Sequence, residues 1–136
     1  MANDGAAIVA RARSLVGTRF RPQGRSREQG LDCIGVVVMA AGIDPKRAPD
    51  DYRLRGGDLK AVNAGMGASG FTRLPPDRAE PGDVLVVRSA PEQLHAVVLT
   101  ADGHVHAHAG LRRVVETPAP MPWPVLSAWR LDAHAD

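Results

Sequence analysis

Apolar residues Ile8, Val9, Ala12, Leu15 and Val16 recur at the spacing of one helix face. Asn3 or Asp4 stands where an N-cap belongs and Gly17 where a C-cap belongs, so the pattern predicts a first helix between them. Residues 18–30, TRFRPQGRSREQG, are polar and broken by Pro22, Gly24 and Gly30, which reads as a surface loop. The stretch Gly30 to Gly42, GLDCIGVVVMAAG, is apolar all round. It predicts a central, buried helix with Cys33 in its first turn and Asp44-Pro45 as its stop. Residues 45–57 form a linker holding Tyr52 and the Gly56-Gly57 pair. Asp58 can cap a short third helix with Leu59, Val62 and Met66 on one face, its end weakened by Gly65, Gly67 and Gly70.

Beyond Pro75-Pro76 and Pro81-Gly82 the helical period gives way to short apolar runs. Val84 to Val87 is continuous, as expected of a strand covered on both faces. Leu94 to Thr100, His104 to His108, Arg112 to Glu116 and Val125 to Leu131 complete five strands, the last following the proline-broken loop PAPMPWP. Asp102-Gly103 is a hairpin signal between the second and third. Helices first and strands afterwards predict an α+β fold with an antiparallel meander, in a single domain over residues 1–136.

Composition narrows the function classes. A hydrophobic content of 44% in 136 residues suits one domain with a real core. One cysteine excludes an intrachain disulfide and a cysteine-rich zinc site. No apolar run approaches the ~20 residues that span a bilayer, so no membrane partner is expected. The start, MANDGAAIVARARS, has no basic stretch followed by an apolar core, so synthesis in the cytoplasm without a signal peptide is expected. Six arginines lie between Arg11 and Arg27, with Glu28 just beyond. With few aromatic residues and no binding motif, they read as a solvated basic face rather than a nucleic-acid site. Such a face also suits an anionic cell-wall polymer.

The candidate chemistry centres on Cys33. Helix N-termini carry unpaired N–H groups and roughly +0.5 e, which stabilise a thiolate and lower its pKa. A lone buried cysteine is otherwise a small hydrophobe. A nucleophile needs a base, and the hairpin supplies histidines. His104, His106 and His108 share one face of a regular strand, with Val105 and Ala107 on the other. Counting across a turn at Asp102-Gly103 places His95 near His108 or beyond, and register alone does not choose between His106 and His108 as its partner. The plainer reading makes the histidine face a solvent face. A rival reading makes H-x-H a zinc site, with His95 as a further ligand but no suitably spaced pair of carboxylates.

The pieces GTRF, GLDCIGVVV, PGDVLVV, LHAVVL and DGHVHAHAG occur in this order over about residues 6–131. This arrangement resembles the NlpC-type cell-wall peptidases, papain-like bacterial cysteine amidases and endopeptidases. It is most similar to short forms encoded near phage-tail or gene-transfer-agent genes, which share GLRRVVE and a terminal Trp-Arg stretch. The resemblance implies N-terminal helices packed on a five- to six-stranded antiparallel sheet, with the cysteine at the N-terminus of the central helix. It implies a Cys-His-His triad: Cys33 as nucleophile, His95 as base, and His106 of the pair His106-Ala107 as the residue that orients it, with His108-Ala109 as runner-up. Asp32 matches the acid that shapes the substrate site and meets a substrate amine. Phe20 stands in that site where many relatives have Tyr, and Ile34 where many have Ser. The implied reaction cleaves amide bonds in peptidoglycan stem peptides, usually between D-glutamate and a dibasic residue, through a thiolate–imidazolium pair and with no metal or cofactor. Phage-tail or gene-transfer-agent proteins are the implied partners, and a phage-like particle the implied route to the wall. A structural or wall-recognition component of such a particle is the alternative.

Overall fold

The computed structural model describes residues 4–47, 54, 56 and 58–131. Tyr52 and Gly57 of the expected linker lie outside the described residues. Helix α1 spans Gly5–Ser14. The Asp4 carboxylate accepts from the Ala7 N–H at 2.9 Å and caps it. Ile8, Ala12 and Leu15 are buried, but the C-cap is Leu15 rather than Gly17. Gly17 lies two residues further on with φ 95°, and its N–H bonds to the Val114 carbonyl, so it turns the chain toward the sheet.

The loop after α1 is more structured than its composition suggests. Strands β1 (Arg25–Ser26) and β2 (Gly30–Leu31) pair antiparallel within it, and Phe20 bridges to Leu31. This small hairpin leads directly into α2, Cys33–Ala41, most of whose residues are buried. Gly42, at φ 71°, ends α2 through bonds to the carbonyls of Met39 and Val38, two residues ahead of the expected Asp44-Pro45 stop. Gly35 is needed for packing, because a Cβ there would strike the Gly24 carbonyl. The loop therefore lies directly on the first turn of α2. A 3-10 turn, Pro45–Arg47, follows, and α3 runs over Leu59–Ala68 with Asp58 as its cap. Its glycines do not stop it, since Val62 and Met66 are buried and Asn63 accepts from Ser127 on the sheet.

The sheet has six antiparallel strands, one of which the hydrophobic pattern did not reveal. That strand is β3, Phe71–Leu74, which pairs with the last strand. The others are β4 (Val84–Ala90), β5 (Gln93–Leu99), β6 (Gly103–His108), β7 (Arg113–Pro118) and β8 (Val125–Leu131). Their spatial order is β3-β8-β4-β5-β6-β7. Strands β4 to β7 form the expected meander, but β8 returns to lie between β3 and β4. The connection 119–124 must therefore cross the sheet. Alternation sends Val84, Val86, Leu94, Ala96, Val98, Val105, Ala107 and Val114 into one core with α1 and α2. Leu85, Val87, Val97 and Ala128 form a second core on the other face, covered by Met121 and Trp123 of the crossing connection. Both faces of β4 are thus dry, which is why its sequence is a continuous apolar run.

The β5–β6 turn is centred one residue earlier than expected. Leu99 pairs with His104 and Val98 with Val105, and the Gly103 carbonyl accepts from Thr100, so Ala101 and Asp102 occupy the turn. Gly103 is required by close approach instead, since a Cβ there would overlap the Thr117 carbonyl of β7. Because the shift leaves side-chain parity unchanged, the histidines keep a common face.

Candidate active site

Asp32 and Cys33 open α2. The Asp32 carboxylate accepts from the Gly35 N–H at 2.8 Å, capping the helix. It also accepts from the Gln23 N–H at 2.9 Å and from the Arg25 guanidinium at 2.8 Å. Arg25 and Asp32 are largely buried, with 16% and 10% of their side chains exposed. A substrate amine would therefore meet a carboxylate already neutralised by Arg25. Nothing in the residue spacing had singled out Arg25; only the loop packing over Gly35 brings it to Asp32.

Cys33 is buried and not in a disulfide. Its thiol is not activated in the way a helix N-terminus alone would suggest. Burial pushes its pKa up to about 12, and the Asp32 carboxylate adds to the rise. Backbone hydrogen bonds from Ala96 and Ile34, and the Arg25 charge, oppose this without overcoming it. Burial and the Asp32 charge together favour the thiol form.

Cys33 and Ala96 of β5 share one core, and Cys33 lines the same cavity as His95. Here the β5–β6 ladder has ended, because its register holds only at Val98–Val105 and Leu99–His104. Continued directly, that register would set His95 opposite His108. The His95 ring instead reaches diagonally, and its Nε2 lies 2.7 Å from Nδ1 of His106. The rings stand edge to face, with centroids 5.0 Å apart. His108 is not bonded to His95; its Nδ1 accepts from the Leu111 N–H at 3.0 Å. Nε2 of His106 lies 3.0 Å from the Thr117 hydroxyl on β7.

The histidine face is not a solvent face. His104 and His106 are buried, with only 1% and 2% exposed. Trp123, carried by the crossing connection, sits against them, its ring 5.6 Å from those of His95 and His106 and 5.9 Å from that of His104. Nε2 of His104 is buried without a hydrogen-bond partner. Among the described residues, no group of three or more His, Cys, Asp or Glu side chains is arranged to hold a metal ion. Trp123 stands between Pro122 and Pro124, and only the return of β8 brings it over the histidines. Trp129, by contrast, lies in the core and donates its Nε1–H to Ser127.

Burial drives both site imidazoles toward the neutral form. It lowers His95 to about 4, with the His104 and His108 charges adding to the effect, and lowers His106 to about 3. The unfolded chain binds protons at these positions below about 6.5, whereas the folded chain resists until about 4 and 3. Stability should therefore be full above pH 6.5 and fall as the pH drops through that window. His95 alone corresponds to about 3 kcal/mol, or about 10 °C in melting temperature for a domain of this size. Melting curves between pH 7 and pH 4 test this. His106→Gln should lose less over the same range, and equal losses in variant and wild type would refute the linkage.

These groups meet at a cavity of about 870 Å³ lined by Phe20, Asp32, Cys33, His95, His106 and Trp123 among others. Its wall thus carries a thiol, a hydrogen-bonded imidazole pair and the start of a helix.

Comparison with solved structures bears on the whole chain. The NlpC/p60 domain of the peptidoglycan hydrolase SagA superposes with a TM-score of 0.62 at 21% identity, over 94% of this chain and 99% of that domain. This chain has the NlpC/p60 fold. The same fold appears in NlpC2 from Trichomonas vaginalis, with a TM-score of 0.67 at 20% identity, over 96% of this chain and 49% of that one. It appears again in the peptidoglycan hydrolase RipB from Mycobacterium tuberculosis, with a TM-score of 0.57 at 20% identity over 93% and 64%. The chain therefore spans the SagA domain in full and about half of the Trichomonas protein. No protein-family model and no curated protein matches the sequence. Among the described residues, three α-helices and a six-stranded antiparallel sheet agree with the α+β class expected from the sequence, and the cysteine does open the central helix.

Proposed function

We propose that this chain is a cysteine peptidase that hydrolyses amide bonds in peptidoglycan stem peptides. One observation carries the reading: Cys33 at the start of α2 shares a cavity with a hydrogen-bonded His95–His106 pair, within an NlpC/p60 fold. SagA and RipB are peptidoglycan hydrolases, which supports the substrate class.

With Nε2 of His95 turned to His106, Nδ1 is the nitrogen left for the thiol. Nδ1 takes the Cys33 proton as sulfur attacks the amide carbon, in one step, because the resting groups are thiol and imidazole rather than an ion pair. The Cys33 N–H at the open end of α2 stabilises the oxyanion. The Nδ1 proton then passes to the leaving amine as the C–N bond breaks. Water attacks the thioester, giving one proton to Nδ1 that returns to sulfur as the acid product leaves. Asp32 holds the start of the helix, and the apolar ring of Phe20 lines the substrate's path.

Incubating wild type and Cys33→Ala with purified stem peptides, with and without a chelator, tests the reading by mass spectrometry. Cleavage by the wild type, lost in Cys33→Ala and untouched by chelator, is expected. Equal cleavage by the variant would refute it, as would cleavage that only the chelator stops.

A further inference from the structure

The imidazole pair does not end at His106, and the group beyond it decides what His95 can do. The three polar groups in line are His95, His106 and Thr117, spaced 2.7 and 3.0 Å apart. A neutral imidazole has one N–H and one bare nitrogen, so the line admits two consistent proton arrangements. In the first, Thr117 Oγ1 accepts from His106 Nε2–H. His106 Nδ1 is then bare and accepts from His95 Nε2–H, which leaves His95 Nδ1 bare and able to take a proton. In the second, the Thr117 hydroxyl donates to a bare His106 Nε2. His106 Nδ1–H then donates to His95 Nε2, and His95 Nδ1 carries a proton and cannot act as a base.

We propose that Thr117 is the positioning residue that sets the tautomer of His95, by accepting a hydrogen bond from His106 Nε2. The inference rests on the peptidase reading for its consequence in catalysis. The geometry behind it is independent of that reading. Thr117 faces His104 across the β6–β7 ladder, two pairs along from His106 and Val115, so its hydroxyl shares the histidine face. The absence of a side chain at Gly103 lets the β7 backbone close up at Thr117, which brings the hydroxyl within reach. His106 is buried, so an Nε2–H without an acceptor there would be costly, and the ring would move its proton to Nδ1. That proton would face His95 Nε2 and drive His95 into the unproductive form.

Two-bond proton–nitrogen NMR correlations on ¹⁵N-histidine-labelled protein distinguish the two tautomers directly and need no substrate. His95→Gln and His106→Gln assign the signals among the five histidines. The wild type should show Nε2–H at both rings. Thr117→Val should move both toward Nδ1–H and cut kcat, toward the ~10⁴-fold loss of a complete wrong-tautomer variant. Thr117→Ser should restore both spectrum and rate. If valine does not pack, Thr117→Ala removes the same hydroxyl. Nδ1–H tautomers in the wild type would overturn the proposal. So would unchanged tautomers without the hydroxyl, whatever the rate did. Failure of the wild type to cleave stem peptides would count against the peptidase reading alone, and the spectra would still decide the role of Thr117.

Discussion

Replacing His95 by alanine should lower kcat/KM on stem peptides by about 10³- to 10⁵-fold at pH 7. The size follows from the state of the thiol. A group pushed up to about 12 is ionised in about one molecule in 10⁵ at pH 7, so without a base the reaction must draw on that fraction. General-base help is ordinarily worth about 10²- to 10⁴-fold, and a buried thiol lies at the upper end because little thiolate exists beforehand. The variant should also respond to pH differently. Its rate should rise about tenfold for each pH unit, following the thiolate, whereas the wild type should be flat from neutral pH down to an acid limb near 4, where His95 takes up a proton. Stability at neutral pH should also fall, since His106 Nδ1 loses its partner and Trp123 a ring it packs against. Activity of His95→Ala within tenfold of wild type would eliminate His95 as the base. A wild-type acid limb near 6.5 would mean that the imidazole pair is far better solvated than its burial implies.

Removing the Asp32 carboxylate should have the largest effect on stability. Asp32→Ala deletes a helix cap, worth about 1 kcal/mol, and removes the carboxylate that accepts from the Gln23 N–H. It also takes the carboxylate from a largely buried guanidinium, a loss that costs about 3–5 kcal/mol when no other partner remains. Arg25 keeps its bond to the Gly24 carbonyl at 2.9 Å, so the total should be about 3 kcal/mol and the melting temperature about 10 °C lower. Asp32→Asn keeps the cap and should lose about half as much. The asparagine variant should also have a more reactive thiol, because the Asp32 charge raises the Cys33 pKa. Melting curves and iodoacetamide alkylation rates measure both effects on the same samples. Alkylation slower than wild type in Asp32→Asn would contradict the assigned electrostatics. A drop in melting temperature of less than about 3 °C in Asp32→Ala would mean that the Arg25 pair contributes almost nothing.

The two variants express one conflict. Asp32 stabilises the fold by capping α2 and anchoring the loop at Arg25, and its charge disfavours a thiolate next door. His95 relieves the conflict by taking the proton only as sulfur attacks. A preformed ion pair, expected from the helix N-terminus alone, would require the positive end of α2 to outweigh both burial and Asp32. The partial charge is about half a unit, and Asp32 already accepts from one of the N–H groups that carry it.

Much of this molecule follows from periodicity. The spacing of Ile8, Ala12 and Leu15 set one buried helix face, and the apolar stretch after Cys33 set another that is buried nearly all round. Alternation in β4, β5 and β6 determined which residues share a face, and a shift of the β5–β6 turn did not disturb it. These are local properties, set by 3.6 residues per turn and two per pleat, and they need no partner to be legible. What covers a face, and which strand borders which, is not local. The tertiary structure alone decided that β3 pairs with β8, and that β8 returns beside β4 and so draws 119–124 across the sheet. From that crossing came Trp123 over the histidines and a dry face where a wet one was expected. The end of the β5–β6 ladder let His95 meet His106 diagonally rather than His108 directly. The packing of the loop on Gly35 brought Arg25 to Asp32. The chemical types at the site could be named from the chain, but their protonation could not, because it depends on burial and neighbouring charge, which exist only once the chain has closed around them.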